Sequence, residues 1–332
     1  MDAQPGVSTL TARQLDATDA PAMRSLFQNI FNKDMSAALW DWKYRRPQSG
    51  MESGAVGVYR DGALVCHYGG MGADIYYKGK AATAMQIVDV MVDPAVRGAV
   101  RKQSPFFLAG SAFLEQYIGF KQPYLLGYGF PSDRHLALAE HLQLYAPVGR
   151  MWELNWDLTA PPRQPLLQKV IRVDAGNLAQ HRAALNAVWG QLRTDLGERI
   201  VVRKDAAFVE WRYLQHPQEQ YTLLLLQRRF TGAPLGLCVL KQEAERVLLM
   251  DAIGALRHMP QLIRAAQAAT WRGQCRKLAT WCSAPDIARF GTDVTTTQPL
   301  PITTPANIWT VGPPPEELQD RWWLMPGDTD SL

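Results

Sequence analysis

Helical and strand periodicities run along this chain in two similar passes. In the first, the spacing of apolar positions predicts a strand at 9–15, a helix at 20–31 entered through the Asp16 to Asp19 cap region, and a second helix at 35–44. Strands follow near 55–60, 63–71 and 85–92, then a helix at 105–118, a strand at 123–130, a helix at 133–142 and strands beyond 148. Segments of both periods interleaved in this way predict an α+β unit on one mixed sheet.

The second pass opens with a helical stretch at 177–192 and repeats a signature of the first. Leu39-Trp40-Asp41-Trp42-Lys43-Tyr44, then Pro47, returns as Phe208-Val209-Glu210-Trp211-Arg212-Tyr213, then Pro217, with offsets 211 − 42 = 169 and 217 − 47 = 170. Two strands around a glycine turn follow in each pass, Val56 to Leu64 through Gly62 and Leu224 to Leu235 through Gly232. Shared packing of the aromatic residues explains the recurrence of Trp42 and Tyr44 better than an aromatic acceptor surface does. Pro161, Pro162 and Pro165 remove backbone donors between the passes, and the stretch reads as a linker. The expected organisation is two tandem units, 1–158 and 167–332, joined by 159–166. The second follows the order of the first up to 277–282, whereas the threonine and proline run 292–305 reads as loop or diverged chain.

A length of 332 residues agrees with two domains, because single cores stop growing at about 250–300 residues. Hydrophobic residues at 47% and charged residues at 20% exclude disordered and fibrous classes. The net charge of +4 comes from scattered residues with no lysine or arginine block, so no nucleic-acid partner is expected. Cys66, Cys238, Cys275 and Cys282 show neither CxxC nor zinc spacing and read as reduced thiols, and His135 and His141 lack the spacing of a metal pair. The first ten residues lack the blocks of a signal peptide and no run of about 18 apolar residues occurs, so a cytoplasmic protein without a membrane partner is expected. Dinucleotide, Walker, serine-hydrolase and zincin motifs are absent from the sequence.

The chemistry concentrates in one stretch. The strand Gln86-Ile87-Val88-Asp89-Val90-Met91-Val92 runs through Asp93-Pro94 and Arg97-Gly98 into a basic loop, then a helix starting at Ser104 and Pro105. Serine suits the N-cap and proline the first helical position. Free amides at such a start, the helix dipole and the charges of Arg97, Arg101 and Lys102 together suit a phosphate or pyrophosphate. The equally valid alternative is an ordinary strand-turn-helix with solvated basic residues.

Val90-Met91-Val92-Asp93-Pro94 followed by Arg97-Gly98 resembles the strand and pyrophosphate loop of the GNAT N-acetyltransferase superfamily. Residues 124–130 and 132–145 resemble the family's next strand and second motif, so the likeness covers most of 9–157. It implies two tandem GNAT-like domains, each a mixed sheet flanked by helices, and acetyl-CoA or another acyl-CoA as co-substrate. Met91, Val92, Arg97, Gly98, Arg101, Lys102, Gln103, Ser104 and Phe106 are its cofactor-binding candidates, with an amide near Met91 or Val92 polarising the thioester.

The sequence departs from the family pattern in three places, the pyrophosphate loop being one. Gln103 and Ser104 stand where later glycines are expected, Gln86 where some members carry a glutamate base, and Ala139 where many carry the tyrosine that protonates the thiolate. Tyr128 or Tyr145 is the substitute acid. Asp89, in an apolar strand, needs a partner, either as one of a structural pair with an arginine or as a base, and His67 is a further candidate beside the acceptor. The second half offers Asp251-Ala252-Ile253-Gly254 without a glycine-rich cradle and is expected to bind no coenzyme. The resemblance implies acyl transfer to a small-molecule or peptide amine. The alternatives are a non-catalytic acyl-CoA sensor or scaffold and a Fem-type aminoacyl or peptidyl transferase.

Overall fold

A computed structural model describes residues 9–45, 53–98, 101–162, 167–291 and 293–330. Pro47 of the first signature and linker residues 163–166 lie outside this set. The chain divides into two compact units that are not continuous in sequence. The first comprises residues up to 73, 83–147 and 305–317, and the second 74–82, 148–304 and 318 onward. The proline stretch at 159–162 therefore lies inside the second unit rather than between the two.

In the first unit the strands are β1 (Leu10–Gln14), β2 (Gly54–Arg60), β3 (Ala63–Tyr77), β4 (Lys80–Val92) and β5 (Leu126–Tyr128), in the order β1-β2-β3-β4-β5. The first three pair antiparallel and β4 pairs β5 in parallel, so the sheet is mixed. Among the described residues its longer helices are α1 (Ala20–Phe31), α2 (Ala37–Tyr44), α3 (Pro105–Tyr117) and α4 (Asp133–His141). Alternation along β3 sends Tyr68 toward α3, where it meets Phe106 and Phe113, and His67 toward Tyr44 of α2. Phe106, Phe107 and Phe113 are buried in that core, and each ring is worth roughly 1.5–3 kcal/mol when fully buried. This burial fixes where α3 begins. Met23, Leu26, Met35, Leu64 and Met91 form the core under α1.

The second unit contains β6 (Tyr145–Asp157) from Val148 on, β7 (Gln168–Val173), α5 (Leu178–Leu196), β8 (Ile200–Val202) and α6 (Ala206–Val209), which continues as a π-helical turn over Glu210–Leu214. Then come β9 (Thr222–Arg228), β10 (Pro234–Gln242), β11 (Val247–Gly254), α7 (Met259–Arg272), β12 (Lys277–Ser283), β13 (Thr296–Asn307) and β14 (Trp322–Trp323). Its main sheet runs β13-β6-β12-β11-β10-β9-β7. The order β7-β9-β10-β11-β12, antiparallel until the parallel pair β11–β12, matches β1 to β5 of the first unit.

The threonine and proline run, expected as loop or diverged chain, forms strand β13 over most of its length. It occupies the sheet edge, where prolines' missing donors cost least, and its β-branched threonines favour extended chain. Among the described residues no helix is long and apolar enough to cross a membrane.

Candidate functional site

The first sheet opens beside β4. The parallel ladder with β5 holds only Ala84–Leu126, Met85–Gly127 and Gln86–Tyr128. β5 ends at Tyr128 while β4 continues to Val92, so the backbone from Ile87 to Val92 has no β5 partner on that edge. Within that stretch Asp89 takes φ 49°, the left-handed region that an aspartate tolerates better than most residues. Beyond it the Met91 side chain enters the core under α1, while Val90 and Val92 pack on the α3 side.

The start of α3 lies beyond a loop that includes Arg97 and Gly98. The Arg97 Nε donates to the Val92 carbonyl at 3.0 Å, folding this residue back on the strand end. A side chain at Gly98 would meet nothing within 4 Å, so glycine is not sterically required there. Ser104 is the N-cap, accepting from the Phe107 amide at 3.3 Å, and its own amide donates to Arg101 at 2.9 Å. The expected free amides are therefore fewer within the helix itself, because Pro105 has none and Phe107 is capped. Among the described residues the amides of Lys102, Gln103 and Phe106 make no internal hydrogen bond. Burial, with Arg134 and Arg97 adding to it, holds the His135 imidazole below its usual range.

Asp89 has its partners in α2, and they are not arginines. Its carboxylate accepts from Lys43 Nζ at 2.8 Å and from the Tyr44 hydroxyl at 2.7 Å, with the Lys43 and Asp89 side chains both about nineteen-twentieths buried. Burial alone would raise this carboxyl; the Lys43 charge and the two hydrogen bonds prevail and hold it below the ordinary range. The Asp89 carbonyl meets His67 Nδ1 at 2.7 Å. A carbonyl only accepts, so Nδ1 carries the proton and the lone pair sits on Nε2. Burial, opposed by that hydrogen bond, lowers the His67 pKa and keeps the ring neutral.

The two tyrosine candidates are placed differently. Tyr145 is buried in the core under α3 with its hydroxyl bonded to that of Tyr68, and burial raises its pKa. Tyr128 is the last residue of β5, at the point where the parallel ladder ends. Gln86 faces it across that final pair and is buried, as is Ala139 in α4.

The matching place in the second unit is closed by the chain itself. Tyr213, the counterpart of Tyr44, donates to Asp251 of β11, as Tyr44 does to Asp89 of β4. Lys204 Nζ bonds both Asp251 and Asp328, and the Arg212 guanidinium donates to the carbonyls of Gly327 and Thr329 at 3.1 and 2.6 Å. A Cβ at Gly327 would collide with the Tyr213 hydroxyl and the Asp251 carboxylate, so only glycine lets the C-terminal segment lie here. In the turn leading to α7, the Leu256 amide donates to the Asp195 carboxylate at 2.7 Å. Lys204, Asp328 and Asp195 carry no local signal in the sequence, since each meets its partner from a distant segment. Asp251, standing like Asp89 in an apolar strand, was the visible clue.

Burial pushes the Asp328 carboxyl from 3.8 up to about 6, with Lys204 opposing and Asp251 adding to the rise. Between those values the folded chain holds a proton that the unfolded chain has released, so stability falls as pH rises across the window. Asp328→Asn is expected to shrink the difference between urea midpoints at pH ~4 and pH ~7 relative to wild type. An unchanged difference assigns that titration to another group.

Residues 11–102 match the family described as "Acetyltransferase (GNAT) domain", a stretch reaching from β1 to the loop ahead of α3. The chain superposes on the "Probable N-Acyltransferase" of Enterococcus faecalis V583 with TM-score 0.70 at 14% identity, covering 95% of this chain and 74% of that one. The GCN5-related N-acetyltransferase of Kribbella flavida gives 0.63 at 15% identity, covering 90% and 71%. Saccharomyces cerevisiae N-myristoyltransferase with bound myristoylCoA gives 0.55 at 10% identity, covering 93% and 85%. Among curated proteins none matches the sequence at a significant level. The chain has the fold of the GNAT N-acyltransferases, and residues 11–102 match that family's domain model.

Proposed function

We propose that the first unit transfers an acyl group, acetyl in the simplest case, from acyl-CoA to an amine by direct attack. The observation that carries this reading is the juxtaposition of a β4 stretch past Gln86 that has no β5 partner with a loop of unbonded amides and basic side chains. Support also comes from the GNAT match and from the same fold in a protein with bound myristoylCoA.

The amides of Lys102, Gln103 and Phe106, with Arg97 and Arg101, are assigned to the diphosphate. The thioester then lies along β4, where an amide near Met91 or Val92 polarises its carbonyl. His67 Nε2 takes a proton from the acceptor ammonium, and the freed amine attacks the carbonyl carbon. The C–N bond forms and the C–S bond breaks; Tyr128 supplies the proton to the thiolate, and the proton that the nitrogen sheds as the amide forms restores the phenol. Tyr145 is the weaker choice for that step because its hydroxyl is tied to Tyr68. Asp89 serves to position His67 through its carbonyl, its carboxylate being committed to Lys43 and Tyr44. Proximity of the two reactants supplies much of the rate. In the second unit, Asp195 on the Leu256 amide takes up a donor that an anionic ligand needs, and this unit is read as binding no coenzyme.

Calorimetry with acetyl-CoA is expected to give one site per chain, and Lys102→Glu to weaken it about tenfold or more. Absence of uptake removes the reading. Uptake without transfer to any amine of a broad panel leaves a cofactor-binding module instead of an enzyme.

A further inference from the structure

The segment 305–317, which follows the long 148–304 stretch of the second unit in sequence, belongs to the first unit. It brings Trp309 to the start of α3. The indole meets the Phe107 ring edge-on at 5.4 Å between centroids, and the Lys102 ammonium stands 5.8 Å from the indole ring centre. Its orientation is fixed from three sides. The indole N–H donates to Glu115 at 2.8 Å, the Trp309 amide donates to Asn307 Oδ1 at 3.0 Å, and the neighbouring Thr310 hydroxyl donates to the Ile118 carbonyl at 2.5 Å. Trp309 nevertheless remains only half-buried.

We infer that Trp309 is a stacking platform for the adenine of the acyl-CoA, with Lys102 serving the phosphate that adjoins it. This rests on the acyl-CoA reading of the same loop. Lys102 connects the two parts, since its amide is one of the unbonded donors assigned to the diphosphate and its ammonium reaches the indole. A pinned indole beside a diphosphate site offers a π-face at low ordering cost, and stacking between a base and an aromatic side chain is sequence-tolerant and strong. An aliphatic residue would fill the same space against Phe107 but could not stack.

The experiment measures dissociation constants by calorimetry for acetyl-CoA and for S-acetyl-4′-phosphopantetheine, which lacks adenosine, using wild type, Trp309→Leu and Trp309→Phe. Leucine keeps apolar bulk on Phe107, and phenylalanine keeps a ring. Trp309→Leu is expected to weaken acetyl-CoA roughly 5- to 100-fold, Trp309→Phe to retain most of the affinity, and both to bind the phosphopantetheine thioester as wild type does. If acetyl-CoA binds wild type and Trp309→Leu alike, or if Trp309→Leu loses both ligands equally, this inference fails while the acyl-CoA reading stands. If wild type takes up neither ligand, the acyl-CoA reading itself falls and takes this inference with it.

Discussion

Lys204→Met is expected to lower the unfolding free energy by about 3–5 kcal/mol at pH ~8, the usual cost of removing one partner from a buried ionic cluster. The Lys204 ammonium is fully enclosed and bonds two enclosed carboxylates, those of Asp251 and Asp328. Burial alone would lower the lysine's pKa, but the two aspartates overcome it and hold the ammonium charged. Methionine fills similar space yet leaves two carboxylates facing each other, with the Tyr213 hydroxyl and the Met325 amide donating to them among the described residues. Since Asp328 is already pushed up to about 6, one of the pair takes a proton on acidification. The deficit should therefore narrow between pH ~8 and pH ~5. Urea denaturation with an unchanged m value reads both effects, and a loss under about 1 kcal/mol at pH ~8 would show that the cluster contributes little net stability.

The same chemistry explains why the Trp-x-Tyr signatures recur. Core packing accounts for Trp42 and Trp211, both buried, but Tyr44 and Tyr213 also carry hydroxyls to an aspartate in the fourth strand of their sheets. An aspartate inside an apolar strand signals that a partner exists, and periodicity cannot say which one. Lys43 lies 46 residues before Asp89, and Asp328 lies 124 residues after Lys204.

Local features were legible for local reasons. The Ser104-Pro105 entry to α3 needs only adjacent residues, and the predicted strands and helices of the first pass lie within a few residues of β1 to β6 and α1 to α4. What the sequence concealed are the long returns of the chain. Segment 305–317 delivers Trp309 to α3, segment 325–329 closes the second unit against Arg212 and Lys204, and β6 passes from Tyr145 into the second sheet. None of these follows from spacing within a helix or strand, because each depends on which sheet edge is left open once the others have paired.

His67→Gln is expected to reduce kcat by about 10²- to 10⁴-fold with whichever amine the panel identifies, the range for loss of a positioned proton acceptor. Affinity for acetyl-CoA should be unchanged, because His67 lies on the face of β3 opposite Tyr68 and the α3 core. Glutamine can still donate to the Asp89 carbonyl, so the local backbone keeps its partner while the basic lone pair disappears. Burial lowers the His67 pKa, so the acid limb of the wild-type rate profile should fall at a pH below that of an ordinary histidine. His67→Gln should lose that limb along with the rate. The charged groups nearest the ring, Lys43 and Asp89, are paired with each other, which leaves His67 as the member of this group whose titration sets the acid limb. Retention of more than about a third of kcat, or an acid limb that persists in His67→Gln, would assign the proton to another acceptor.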